Sequence, residues 1–347
     1  MNLFKKIKFN KSQLFNIFVF IVGAIIITWL IYDIGVAKTK EYLDEMGLAF
    51  IWLFLIYILT LLCDTFSWKL LIRKPVSIMK IIFIANAGTA INALTPSGDG
   101  GEFIKGNLIK NQIGGTESVS SLLLWNYLYA VTKRVLLLSG PVFYLLFGPF
   151  TVDPVSIPNR LVWLFLGVGI LTSIHLPLFF LIAKYAGMVK TAGFFHKFPL
   201  IRRIDKKAML EFARKIDLAF DSFRKENKTK FFYSALLLLG THATVCLEIW
   251  LVLKVLGTDI SLVMSVFLFG GNTILKSLIS LSPVEMGVTE AGTMGLFKIL
   301  GFNPVLGFMQ EFIRRLRLLV FNFIGLFYLG YKAFFPDSKL PLVEKPE

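Results

Sequence analysis

The 347-residue sequence predicts an all-α polytopic membrane protein, with about six spanning helices and two re-entrant helical hairpins in an inverted repeat. Three observations carry this. The chain is 56% hydrophobic and 17% charged, where soluble domains sit near ~45–50% and ~25%. Its apolar residues fall in near-continuous runs of the roughly 20 residues that cross a bilayer as a helix, unlike the ~10-residue alternating segments of a barrel. Two of the runs break at similar Pro/Gly-rich sequences.

Composition also removes whole classes. A soluble enzyme, a disordered chain and a coiled coil do not fit. Cys63 and Cys246, both inside apolar runs, cannot staple a secreted disulfide scaffold. The net charge of +15 reads as basic cytoplasmic loops near anionic lipid, and no nucleic-acid partner is expected. Leu14–Tyr32 is long enough to span and no small-residue cleavage site follows it, so it reads as a first helix and not a signal peptide.

The remaining full-length candidates are Leu48–Trp68, Ser118–Phe147, Leu161–Lys184, Phe231–Leu256 and Pro304–Tyr331. Gly140-Pro141 is expected to kink the third of the six. Ile78–Leu94 is interrupted by Thr95-Pro96-Ser97-Gly98-Asp99-Gly100-Gly101-Glu102, and Leu262–Leu281 by Ser282-Pro283-Val284-Glu285-Met286-Gly287. Short helical stretches follow, to about Gln112 and to Leu300. Pro and Gly stop a helix and free backbone groups, which persist at membrane depth only where protein or water covers them. Both are therefore expected to be hairpins, although Leu262–Leu281 is also long enough to cross alone.

Loop charges orient the chain. Residues 184–230 carry thirteen Lys/Arg against five Asp/Glu, while 33–47 has two Lys against four acids. The positive-inside rule places the N-terminus, 69–80 and 184–230 in the cytoplasm of a multi-pass inner-membrane protein. Within 205–226, Met209, Phe212, Ile216, Phe220 and Phe223 recur at helical spacing among Lys and Arg. They predict a basic amphipathic helix on the cytoplasmic leaflet. One membrane domain of 1–347 holds everything, with repeats at 78–147 and 262–331 and a short tail at 332–347.

The repeats define the candidate site. Leu94-Thr95-Pro96 matches Leu281-Ser282-Pro283, Gly100 and Gly287 each follow six residues after the Leu, and Glu102 and Glu290 come next. Each hairpin precedes a span with basic residues inside it: Lys133 and Arg134 in the first, Arg314, Arg315 and Arg317 beside Glu311 in the second. Paired, interrupted segments of this kind point to a transporter-type site at the repeat interface. A charge at the bilayer centre costs at least ~2.5–3.5 kcal/mol, so these cations require partners or water. Glu285, Glu290 and Glu311 are candidate partners, as are Asp99, Glu102, Asp64 and Glu248; Glu311 stands at i,i+3 and i,i+4 from Arg314 and Arg315. A surplus of Lys and Arg in a wet cavity suits a phosphate, and the helix beginning at Gly100-Gly101 could offer its N–H groups. His242 and Cys246 share a helix face but lack a third ligand, so no metal is expected. No cofactor and no catalytic constellation is read.

Asn92-Ala93-Leu94-Thr95-Pro96-Ser97-Gly98-Asp99-Gly100-Gly101-Glu102-Phe103-Ile104-Lys105 resembles the signature of the flippase-like family, the transmembrane domain of lysylphosphatidylglycerol synthases and their stand-alone relatives. The motif falls on Pro96, Gly101, Glu102 and Lys105. Its second segment falls on Pro283, Gly287, Glu290 and Ala291, followed by Leu300-Gly301. The resemblance spans about residues 12–331. It implies a membrane domain that moves or binds polar lipids, without the aminoacyl-transferase chemistry of the fused members. Ser97-Gly98-Asp99 and Val284-Glu285-Met286 depart from the family's pattern and leave the headgroup open. The expected substrate is a membrane phospholipid; a second copy of the chain and a separate lipid-modifying enzyme are candidate partners. A carrier of a soluble anion, or a membrane enzyme acting on a lipid-linked substrate, are the alternatives.

Overall fold

The structure, a computed structural model, describes residues 36–94, 100–151, 153–174, 228–279 and 287–334, with single positions at 28 and 32 and scattered ones between 187 and 217. Leu14–Tyr32, the end of Leu161–Lys184, most of the basic segment 205–226, both breaks (95–99 and 280–286) and the tail from 335 lie outside the described residues, apart from those single positions. Pro96, Asp99, Pro283 and Glu285 are among them.

The described elements are helical: α1 (Val36–Met46), α2 (Ala49–Leu71), α3 (Ile78–Leu94), α4 (Gly100–Ile113), α5 (Gly115–Phe147), α6 (Asn159–Ser173), α7 (Lys228–Val255), α8 (Leu262–Ile279), α9 (Val288–Leu300) and α10 (Pro304–Phe334). Three of them, α2, α5 and α7, are long and apolar enough to cross a membrane, and α3, α6 and α8 are shorter apolar helices. The chain is a multi-pass all-α membrane protein.

Boundaries follow local chemistry. α4 ends at Gly114 (φ 91°) and α9 at Gly301 (φ 90°), two left-handed positions that a side chain would strain. The Gly114 N–H donates to the Lys110 carbonyl at 2.8 Å, and that of Gly301 to Lys298 at 3.2 Å. α5 runs unbroken through Pro141. Loop charge made 33–47 a connecting loop, yet α1 forms there. Thr39 and Met46 are buried on one face, while Lys40, Glu41, Asp44 and Glu45 stay in solvent. A short helix this polar leaves no mark on hydropathy.

In both broken segments the second helix folds back on the first. Gly88 of α3 and Gly101 of α4 meet backbone to backbone, with no room for a Cβ at Gly101. Gly271 of α8 lies against Leu296 of α9. The packing is then reciprocal. α2-α3-α4-α5 and α7-α8-α9-α10 form two units that touch through α2 and α7. The first hairpin's α3 packs along α10 of the other unit, and the second hairpin's α8 packs along α5 of the first. Glycine makes both crossings close. A Cβ on Gly140 of α5 would stand 2.8 Å from the Val266 carbonyl oxygen of α8, and one on Gly325 of α10 would collide with the Asn86 carbonyl of α3. Two apolar clusters result, one around Trp68, Ile84, Ile109 and Leu128, the other around Phe267, Phe297, Phe308 and Ile313.

Candidate functional site

Seven helices wall a cavity of about 480 Å³, within the ~300–1,000 Å³ common for ligand sites. α2 contributes Asp64 and Tyr57, α3 Asn92, α4 Glu102 and Lys105, and α5 Asn126, Tyr129 and Lys133. α7 adds His242 and Glu248, α8 Asn272 and Lys276, and α10 Gln310, Glu311, Arg314 and Arg317. Among the described residues, five cations and four carboxylates thus face one space inside an apolar protein.

Most of these charges are held. Glu311, 1% exposed, accepts from Lys276 Nζ at 2.8 Å through one oxygen and from Arg314 Nη2 at 2.6 Å through the other. The first bond ties the second hairpin to α10. Glu102 accepts from Lys105 Nζ at 2.7 Å and from Asn126 Nδ2 at 3.0 Å, while Lys105 also lies 4.6 Å from the centre of the Trp125 ring. Glu248 pairs with Arg317, whose guanidinium covers the Tyr57 ring at 4.3 Å. His242 Nε2 lies 3.2 Å from Thr132 Oγ1 and 3.3 Å from the Tyr129 carbonyl. Asn272 Nδ2 donates to Gln310 Oε1 at 3.2 Å. The Glu102 and Glu311 pairs combine charge with hydrogen bonding, which is what offsets their desolvation.

Lys133 is the exception among the cations. Among the described residues it makes no hydrogen bond and no ion pair; its ammonium stands 6.0 Å from the Tyr129 ring centre. It lines the cavity from the middle of α5.

The cavity gathers Glu102, Lys105, Lys133, Glu311 and Arg314 from the sequence-predicted set, and leaves the others described outside its wall. Arg134, next to Lys133, points to α8, where its Nη2 donates to Ser277 Oγ at 3.3 Å; one step along a helix turns a side chain by about 100°. Arg315 binds Glu290 at 2.5 Å, and Glu290 is fully buried. Of the two arginines expected on Glu311, only Arg314 is there. The Gly101 N–H, expected to face a ligand, is spent within the fold: it donates to Asn92 Oδ1 at 2.6 Å, as that of Gly287 does to Glu290 Oε2 at 2.8 Å, while Gly100 does not line the cavity.

The repeat pairing also changes. Glu102 reaches Asn126 and Glu290 reaches Arg315, each binding the long helix of its own unit. The counterpart of Arg315 is therefore Asn126, not Lys133 or Arg134. Lys276 was missed from the sequence, Arg317 was seen inside its span but not assigned to the site, and Asp64 and Glu248 were taken only as partners. The signal for Lys276 was present: it is the one charge in an otherwise apolar helix, and such a charge marks a lined cavity.

The sequence model of one family, described as the lysylphosphatidylglycerol synthase TM region, matches residues 16–325. No curated protein and no solved structure matches the chain. The match takes in the first unit, the second as far as residue 325 of α10, and every described residue of the cavity wall, and the chain belongs to the family of the lysylphosphatidylglycerol synthase transmembrane region.

Proposed function

We propose that the chain is a flippase-like transporter that carries the polar headgroup of a phospholipid across the membrane through the charged cavity, its acyl tails staying in the bilayer. The observation that supports this most is Lys133, which among the described residues has no hydrogen-bond or ion-pair partner, facing a cavity whose other described cations are paired. A lipid phosphate would complete it. Lys276 and Arg314, shared with Glu311, and Lys105, shared with Glu102, stand on the same wall and can turn part of their hydrogen bonding to the phosphate. The protein works here as a carrier and performs no bond chemistry. It sits in the cytoplasmic membrane with its N-terminus inside, so a cysteine at Thr258 should label from the outer side alone.

Proteoliposomes loaded with fluorescent phosphatidylglycerol, bleached from outside, test the reading. Lys133→Gln should fold and insert, yet lose lipid movement by roughly ten- to a hundredfold, the worth of one hydrogen bond to a charged group at ~1.5–3 kcal/mol. Arg134→Gln, outside the cavity, should lose much less. Full movement in Lys133→Gln would sink the assignment. Uptake of soluble glycerol phosphate with no lipid movement would make the protein a soluble-anion carrier instead.

A further inference from the structure

The cavity holds a second group without a partner, of opposite sign. Asp64 of α2 makes no hydrogen bond and no ion pair among the described residues, and its Oδ1 is fully buried. The other three carboxylates are occupied: Glu102 by Lys105 and Asn126, Glu248 by Arg317, Glu311 by Lys276 and Arg314. An ionised carboxylate away from bulk water and without a cation is costly, and the least costly remedy is to take up a proton. The charged and titratable groups that share the wall with it are Tyr57 on its own helix, Glu102 and Lys105 from α4, Tyr129 and Lys133 from α5, His242 and Glu248 from α7, Lys276 from α8, and Glu311, Arg314 and Arg317 from α10; α3 brings only neutral groups, among them Thr89 and Asn92.

Proton uptake changes what the cavity can hold. Among the described residues, five cations face four carboxylates with Asp64 ionised and three with it neutral, so their summed charge becomes more positive by one. An anion gains from that rise. By reciprocity, an anion in the cavity then raises the affinity of Asp64 for its proton. We infer that Asp64 is a proton-binding site linked to the anion site, so that a proton and a phosphate-bearing anion occupy the cavity together. The proton comes from water as Asp64 enters the acid form and returns to water when the anion leaves. This rests on the cavity being an anion site, and it adds a co-substrate, and with it an energy source, to that reading.

Two measurements decide it. In nanodiscs of phosphatidylcholine, the affinity of the wild type for added phosphatidylglycerol should fall as pH rises, approaching tenfold per pH unit where one proton is linked. Asp64→Asn should bind with almost no slope, and Asp64→Glu should keep it. Soluble glycerol phosphate, run in parallel, shows whether the linked anion must be a lipid. Infrared pH-difference spectra of the same samples should show a protonated-carboxyl band that Asp64→Asn removes and Asp64→Glu shifts. The inference is overturned if the band is absent, if Asp64→Asn keeps the slope, or if His242→Gln removes it while Asp64→Asn does not. A lipid that binds with the expected slope but never crosses the bilayer would refute transport and leave the linkage standing.

Discussion

Glu311 shows how one residue can hold two helices and a site. Its carboxylate is 1% exposed and takes Lys276 from the second hairpin on one oxygen and Arg314 on the other. Neutralising it leaves two partly buried cations on the cavity wall without their shared counter-charge, and breaking a buried pair costs up to about 3–5 kcal/mol. Glu311→Gln should therefore lower the melting temperature in detergent sharply. Glu311→Gln with Lys276→Gln should recover part of the loss, because one stranded charge goes with it. Equal melting of the single and double variants would mean that the carboxylate is not what neutralises Lys276. Sequence spacing made this pair half legible. It gave Glu311 and Arg314 one helical turn apart, but Lys276 arrives from another helix, and no periodicity within one segment reports a contact across 35 residues.

Among the elements, the crossings of the long helices over the opposite hairpins depend on missing side chains. Gly140→Ala and Gly325→Ala each push a methyl group into a backbone carbonyl of the facing helix, and overpacking of this kind costs typically ~1–3 kcal/mol. The two should destabilise alike. Gly295→Ala is the control: it lies in α9 with nothing within 4 Å of a new Cβ, so it should stabilise by ~0.5–1 kcal/mol through helix propensity alone. Thermal melts of the three proteins test this; an innocuous Gly325→Ala would mean that α3 and α10 do not meet as described. The extents of these elements were largely readable. α3 begins and ends at Ile78 and Leu94, and α9 ends at Leu300, where the apolar runs and breakers put them. α1 was not, since its charge pattern resembles a loop. The sense of Arg134 and Arg315 was not either, because an adjacent pair of cations in a helix says nothing of which one the neighbouring helices leave facing the cavity.

Over the whole molecule, the two units are interleaved. α3 rests on α10 and α8 on α5, so each half lacks the surface its hairpin needs. Cutting the gene within 195–205 and expressing either part alone should yield material that is degraded or aggregated. Expressing both together should give a complex that copurifies through a tag on one part. Stable, separately folded halves would contradict the exchange of hairpins. The repeat itself was visible as Leu94 and Leu281 with their trailing glycines and acids. That the repeats exchange partners was not, since sequence similarity between two segments is silent on which long helix each one chooses.

The exchanged hairpins have a mechanical consequence. A tilt of α5 is felt first by the second unit's hairpin, and a tilt of α10 by the first unit's. The glycine crossings leave no slack to absorb such a tilt, because backbone meets backbone at Gly140 and Gly325. Two doors hinged on each other's frames swing as a single part. Such a linkage has one degree of freedom where two independent hairpins would have two, and it ties the position of either hairpin to that of the other.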